Sequence, residues 1–412
     1  MQVLYPCCCG IDVHAKTVVA CLIKDGKRQT RTFSTMTDDL LRLSDWLISE
    51  GCTHVAIEST GVYWKPVFNI LETSLAVILV NARHVKAVPG RKTDLRDCEW
   101  LADLLRHGLL KASFIPPLEI RELRELMRYR QTLIKEHTAV ANRIQKILES
   151  GNIKLGQVVT DVLGVSGRLM LQALASGEED TEKLVGLARG RLKEKKPELR
   201  RALTSRLTAA QQFVLSELLV RLSELEAATT RVSERIAKEV EESADPFVPE
   251  AVKLLQTIPG IGERVAEVIV SEIGVNMSRF PNDRHLSSWA GVCPGNNESA
   301  GKRRPAPTTE GSPYLKAALT QAAWAAAHTK GTYLAAQYHR LLKRMSKNKA
   351  LIAVAHSLLV IVYHVLAERA DYRELGGDYF DRRYQQTQQQ RLIKRLEMMG
   401  LKVTVEALPK VA

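Results

Sequence analysis

Carboxylates at four places in this chain could act together. Asp94 and Asp97 are three apart in residues 90–105, which read as the opening turns of a helix. Thr93 or Asp94 would cap it, and Leu95, Leu101, Leu104 and Leu105 would form its apolar face. Residues three apart project from one side of a helix. Two acids held so repel unless a cation lies between them, and hard divalent ions such as Mg²⁺ take oxygen ligands of this kind. Alone, an Asp-x-x-Asp is equally a capped, solvated helix start. Asp12 and Glu58 alter that balance, because each stands at or near the end of a short apolar run with strand character.

The elements that must position these acids follow in a definite order. Runs at 7–13, 17–23 and 30–33, with a Lys24-Asp25-Gly26-Lys27 turn, predict a three-stranded meander. A helix capped by Thr37 or Asp38 should bury Leu40, Leu41, Leu43, Trp46, Leu47 and Ile48. A strand at 54–58, a helix at 63–71, a strand at 76–81 and the acidic helix complete the unit. This order matches the α/β ribonuclease-H-like (RuvC-like) fold, in which acids come from the first strand, the fourth strand and a later helix.

Beyond residue 118 the pattern becomes helical. Leu123, Leu126, Leu133, Val140, Ile144 and Ile147 recur at helical spacing, with Arg121, Arg124, Arg128, Arg130, Lys135, Arg143 and Lys146 on the polar side. Leu215, Leu218, Leu222, Leu225, Val232 and Ile236 fit a heptad broken at Thr229, predicting an antiparallel pair or an intermolecular coiled coil. The basic run 189–201 is either an exposed loop and helix cap or a phosphate-contact strip. Residues 243–246 break the helix. The Ile258-Pro259-Gly260-Ile261-Gly262 turn then resembles a helix-hairpin-helix element, whose glycines let backbone amides approach a phosphate. A Gly/Asn-rich stretch, 289–304, has the character of a positioned loop; in it Ser299 stands beside Glu298 and ahead of Lys302, Arg303 and Arg304. Helices at 313–327 and 333–366 and a Gln-rich tail follow. Three regions result: 1–115 with the acids, 116–245 helical, and 246–412 mainly α with the hairpin and the serine.

The 59 Lys and Arg against 46 Asp and Glu give a formal charge of +13, which points to nucleic acid as partner, a basic membrane-surface protein being the other reading. With aromatic content at 5%, phosphate contacts should dominate over base stacking. Seven cysteines with no Cys-x-x-Cys pair, and no signal peptide, fit a reduced cytoplasmic protein, and the ten histidines show no zinc spacing with them. The apolar run 350–367 approaches membrane-spanning length but contains His356, Ser357 and His364, so a buried core helix is expected and no membrane partner.

Gly10-Ile11-Asp12-Val13-His14-Ala15-Lys16, Ile57-Glu58-Ser59-Thr60-Gly61, Lys92-Thr93-Asp94-Leu95-Arg96-Asp97, Ile258-Pro259-Gly260-Ile261-Gly262 and Glu298-Ser299-Ala300-Gly301 occur in that order. Together they resemble the DEDD transposases of insertion-sequence family 110, RNA-guided recombinases of mobile elements, from about residue 7 to about residue 370. The resemblance implies that Asp12, Glu58, Asp94 and Asp97 bind Mg²⁺, with Mn²⁺ a possible substitute, and that Ser299 attacks DNA phosphate to leave a phosphoserine joint. It also implies double-stranded DNA at element ends and target, a structured guide RNA, and a homo-oligomer, dimer or tetramer. Gly260, Gly262, Arg121, Arg124, Arg128, Lys302, Arg303 and Arg304 are the nucleic-acid contacts expected. Acids and serine lie some 200 residues apart in sequence, so the active site would form by docking within or between subunits. The rival readings are a junction-resolvase-like nuclease that uses water, with Ser299 structural, and a non-catalytic nucleic-acid-binding scaffold.

Overall fold

The computed structural model describes residues 2–59, 61–81, 97–295, 298–299, 301–303, 307–308, 311–400 and 402–404. The chain divides into two compact units, residues 1–115 and 116–412.

In the first unit, β1 (Cys7–Val13), β2 (Thr17–Lys24) and β3 (Lys27–Ser34) form an antiparallel meander. The β2–β3 turn places Asp25 and Gly26 both at positive φ, 49° and 83°, the backbone that matches strand twist in a two-residue hairpin. After α1 (Thr37–Ser49), β4 (His54–Glu58) joins β1 in parallel; after α2 (Trp64–Leu71), β5 (Ala76–Val80) joins β4 in parallel. The sheet order is β3-β2-β1-β4-β5. Met36, not Thr37 or Asp38, is the N-cap of α1, because Ser34 Oγ already accepts the Met36 N–H at 3.2 Å and the helix begins directly after it.

Strand alternation sorts the sheet into two faces. Cys9, Ile11 and Val13 of β1 and Val55 and Ile57 of β4 pack with Leu43 and Leu47 of α1 and Val67 and Phe68 of α2. Cys8 and Ala56 point the other way, onto Cys98, Ala102 and Leu105 of α3 (Asp97–Arg106). Gly10 lies between the two and permits this approach. A Cβ there would sit 2.2 Å from the Cys98 carbonyl oxygen and 2.4 Å from the Ala102 nitrogen.

The second unit opens with two 33-residue helices, α4 (Leu118–Ser150) and, farther on, α9 (Ala209–Glu241). They run antiparallel. Gln211 donates to Ser150 Oγ at 3.1 Å at one end, and the Ala244 N–H donates to Glu119 Oε1 at 2.7 Å beyond the other. Leu215, Leu222 and Leu225 meet Leu133, Val140, Ile144 and Leu148 in one core, so the chain pairs its long helices with each other. Thr229 Oγ1 turns back to the Leu225 carbonyl at 2.7 Å where the heptad breaks. Between them α5 (Leu155–Val158), α6 (Val165–Ala175), α7 (Thr181–Gly186), a 3₁₀ turn (Gly190–Lys195) and α8 (Lys196–Ala202) close over one end of the pair. Arg191, Lys193, Lys195 and Lys196 of the basic run are exposed, while Arg200 pairs with Glu182.

A helical bundle follows: α10 (Phe247–Leu255), α11 (Glu263–Ile273), α12 (Asp283–Trp289), α13 (Pro313–His328), α14 (Tyr333–Leu342), α15 (Lys347–Glu368) and α16 (Tyr379–Met398). The apolar helix α15 is long enough to cross a bilayer, yet it buries Ala350, Val354, Leu358, Leu359 and Val362 within the bundle as its core helix. Together with the long pair this bundle forms one compact unit.

Candidate active site and its supports

Sheet register brings two of the acids side by side. Ile11 pairs with Ile57 in the parallel β1–β4 ladder, and Asp12 and Glu58 each stand one residue farther along. Asp12 shares the parity of Cys8 and Gly10, and Glu58 that of Ala56, so both belong to the face covered by α3. Asp97 is the first residue of that helix and is exposed. The Asp12 carboxylate is 22% exposed and lies 3.1 Å from His14 Nε2. Its charge also reaches the second residue of α3. The Cys98 thiol is pushed up to about 11, first by burial and then by Cys21, Glu99 and Asp12. Asp12 and Glu58 thus lie side by side at one end of a sheet face, and the helix that covers this face begins with Asp97.

Asp94 lies outside the described residues. Among the described residues no three His, Cys, Asp or Glu side chains converge as a metal-binding group. Carboxylates alone, on rigid strand ends beside a helix start, are a donor set that fits a hard divalent cation better than a soft one. His14, beside Asp12, and Gly10, beneath α3, are the local supports that residue spacing did not single out. Their signal was their place in the Gly10-Ile11-Asp12-Val13-His14 run.

The serine stretch is a β-hairpin. β6 (Glu298–Ser299) pairs with β7 (Lys302–Arg303) antiparallel, Ser299 opposite Lys302, with Gly301 at φ 74° in the two-residue turn. The stem closes through a Pro294–Thr308 bridge and a Gly295 N–H to Pro307 carbonyl bond of 2.9 Å. Lys316 of α13 donates to Thr308 Oγ1. Gly311 passes so close to Ala290 that a Cβ would lie 2.3 Å from that carbonyl carbon. Ser312 then caps α13, accepting the Leu315 N–H at 3.3 Å. Arg304 lies outside the described residues.

Three of the other expected contacts, Gly260, Arg124 and Arg128, are engaged within the unit. Gly260, at φ 89°, seats the α10–α11 turn against α13; a Cβ there would meet the Ala322 oxygen at 2.4 Å and the Ala326 nitrogen at 2.6 Å. It is a packing glycine. Gly262, the N-cap of α11, has open space where a Cβ would stand and is exposed. Arg124 donates to the carbonyls of Ser271 and Glu272 at 3.0 and 2.6 Å, capping the C-terminal end of α11. Burial pulls its guanidinium down to about 10 in spite of Glu272. Arg128 grips Glu272 with two bonds of 3.0 and 3.1 Å and stacks 4.6 Å from the Tyr314 ring centroid. These two arginines act as struts between helices. Arg121 lies one turn before Arg124 and is half-buried.

Sequence reading missed their partners. Glu272 is 1% exposed and also accepts from Ser312 Oγ at 3.0 Å. One carboxylate therefore ties α4 and α11 to the residue that ends the serine loop. Arg130 and Glu267 form a second buried pair at 2.7 Å. Nothing in local spacing signals partners more than 130 residues apart.

Carboxylates on adjacent parallel strands, with a third at the start of the covering helix, suit charge neutralisation in phosphoryl transfer. Comparison with known proteins narrows this class. Residues 9–153 match the DEDD transposases of the IS110 group, described as a transposase, and residues 252–340 match the transposase IS116/IS110/IS902 family. The chain belongs to this transposase family. A pilin gene-inverting protein of Moraxella bovis is 23% identical over 374 residues, 88% of this chain and 96% of that protein. The pilin gene-inverting protein of Moraxella lacunata shows the same identity and coverage. The transposase for insertion sequence element IS1111A of Coxiella burnetii is 22% identical over 376 residues, 89% of this chain and 87% of that protein.

Proposed function

We propose that this transposase cuts and rejoins DNA strands with Ser299 as nucleophile, supported by a divalent-ion site built from Asp12, Glu58, Asp94 and Asp97. The observation that carries the reading is the register that puts Asp12 and Glu58 at one end of adjacent strands, on the face where α3 begins with Asp97. The sheet order, with its meander followed by two parallel strands, supports a ribonuclease-H-like fold for the first unit. The buried heptad leucines support an antiparallel coiled coil for the long helices, and the turn before α11 supports a helix-hairpin-helix element in which Gly262, rather than Gly260, faces a phosphate.

Mg²⁺ or Mn²⁺ bound by the four acids supplies charge neutralisation at the scissile phosphate. The hairpin presents Ser299 at the strand end next to its turn, and the stem is fixed, which limits the entropy lost on reaching an in-line pose. Attack forms an Oγ–P bond and breaks one P–O ester bond, whose oxygen leaves as a DNA hydroxyl after taking up a proton. A DNA hydroxyl then attacks the phosphoserine, restoring the strand and the serine without an external energy source. Lys302, Arg303 and Arg304 neutralise phosphate nearby. Two of the relatives invert a gene and the third is a transposase, which favours cutting with rejoining over hydrolysis by water. A structured guide RNA and a homo-oligomer complete the proposal; base pairing would then choose the target.

A plasmid recombination assay with a denaturing-gel test for protein–DNA adduct examines this. Asp12→Ala and Ser299→Ala should each abolish recombination, and only Ser299→Ala should abolish the adduct under all metal conditions. An adduct formed by Ser299→Ala would sink the serine role, and normal recombination by Asp94→Asn would sink the tetrad.

A further inference from the structure

We infer that the outer face of α13, with the basic turn between α14 and α15, binds an unpaired segment of DNA. This rests on the reading of the chain as a DNA-cutting transposase and adds a site to it.

Trp324 is 52% exposed, an uncommon state for so large an apolar ring. Its orientation is set from one side. His328, one turn on, packs against it with centroids 4.4 Å apart and ring planes tilted by 37°, and its Nδ1 lies 2.7 Å from the Trp324 carbonyl oxygen. The indole lines an open groove of about 640 Å³ along α13, with Lys316, Thr320 and Gln321 in the same stripe and Leu351 of α15 as its far wall. Lys347 stands one turn before Leu351 on α15. Around it Lys343, Arg344 and Lys349 are also exposed, and among the described residues no acid pairs with any of these four cations. Residues 340–349 contain no Asp or Glu at all.

An aromatic platform beside unneutralised cations is the chemistry that recognises a nucleobase and its phosphates. An apolar protein partner would not call for Lys316 in the groove, Lys347 one turn from its Leu351 wall and an acid-free basic segment beyond them. A duplex hides its base faces in the stack, whereas strand cutting and exchange expose unpaired bases. The groove also belongs to the helix that follows the serine hairpin. Lys316 bonds to Thr308 in the hairpin stem, and Trp324 lies eight residues along, about 12 Å at 1.5 Å per residue. A strand leaving the hairpin along α13 would reach the indole within a few nucleotides.

Fluorescence anisotropy of labelled single-stranded DNA, duplex DNA and single-stranded RNA of one sequence, bound to the full chain across a salt series, tests this. Trp324→Ala should weaken single-stranded DNA binding roughly ten- to a hundredfold, and Trp324→Phe should retain most of it. Duplex affinity should stay within about twofold for both variants. Replacing Lys343, Arg344, Lys347 and Lys349 by Ala should flatten the single-strand salt dependence by about 0.7 in slope per lost contact. Unchanged single-strand binding by Trp324→Ala, a parallel fall on duplex, or a preference for RNA would each overturn the site. Wild-type protein that cuts and rejoins element ends while Trp324→Ala binds single strands normally overturns the groove alone. Wild-type protein that binds no DNA overturns the underlying function.

Discussion

The two units hold the residues proposed to react by different means. In the first, Asp12 and Glu58 are fixed by strand register, and α3 is set against them by a missing side chain at Gly10. In the second, the hairpin of Ser299 is fixed by packing glycines and by buried charge. Every buried charged residue among the described residues, Arg130, Glu267 and Glu272, belongs to the second unit. A sheet supplies position through its backbone ladder. Helices have no such ladder between them, and here long arginines reach across instead.

Breaking the Arg130–Glu267 pair should show the largest effect. Arg130→Met leaves a buried carboxylate without its cation and should cost about 3–5 kcal/mol, whereas the double change Arg130→Met with Glu267→Met should recover most of that loss. Urea denaturation of the three proteins measures it. A single variant as stable as wild type would show that the pair is not what joins these helices.

Gly10→Ala tests the first unit in the corresponding way. The added methyl meets the backbone of α3, which cannot give as a flexible side chain can, so about 1–3 kcal/mol should be lost. Hydrogen exchange should rise in α3 and β1 and leave α4 and α9 unchanged. Protection lost evenly along the chain would contradict the local role.

A smaller effect sharpens the distinction between strut and contact. Arg128→Ala should lower stability by roughly 1–3 kcal/mol, because buried Glu272 loses two charge-assisted bonds and keeps only Ser312 and Arg124 among the described residues. The salt dependence of DNA binding should not move, whereas loss of a phosphate contact flattens the slope by about 0.9. A flattened slope would return Arg128 to the nucleic-acid surface.

These cases show where residue order alone suffices. The sheet was legible because strand alternation and the Asp25-Gly26 turn are local signals, and an acid at a strand end declares its place by register. α15 was recognised as a core helix because its apolar run carries His356, Ser357 and His364, which a bilayer span disfavours. Arginine periodicity on α4 was equally visible, yet it gave no sign of the partners that Arg124 and Arg128 have within the unit. A cation on a helix face is the same signal whether its partner is DNA or Glu272, and the partner is set by tertiary packing across 144 residues. Gly260 is ambiguous in the same manner. A glycine admits close approach by any backbone, and the one that approaches is α13. Asp94 and Arg304 lie outside the described residues, so their expected roles rest on sequence.

Mn²⁺ electron paramagnetic resonance on the full-length protein bound to duplex DNA bears most directly on the central claim, that the end of the β1–β4 pair is the metal site. Asp12→Asn and Glu58→Gln should each weaken Mn²⁺ binding by about tenfold or more, with the helical unit's stability unchanged. Mn²⁺ bound as in wild type by both variants would contradict the account.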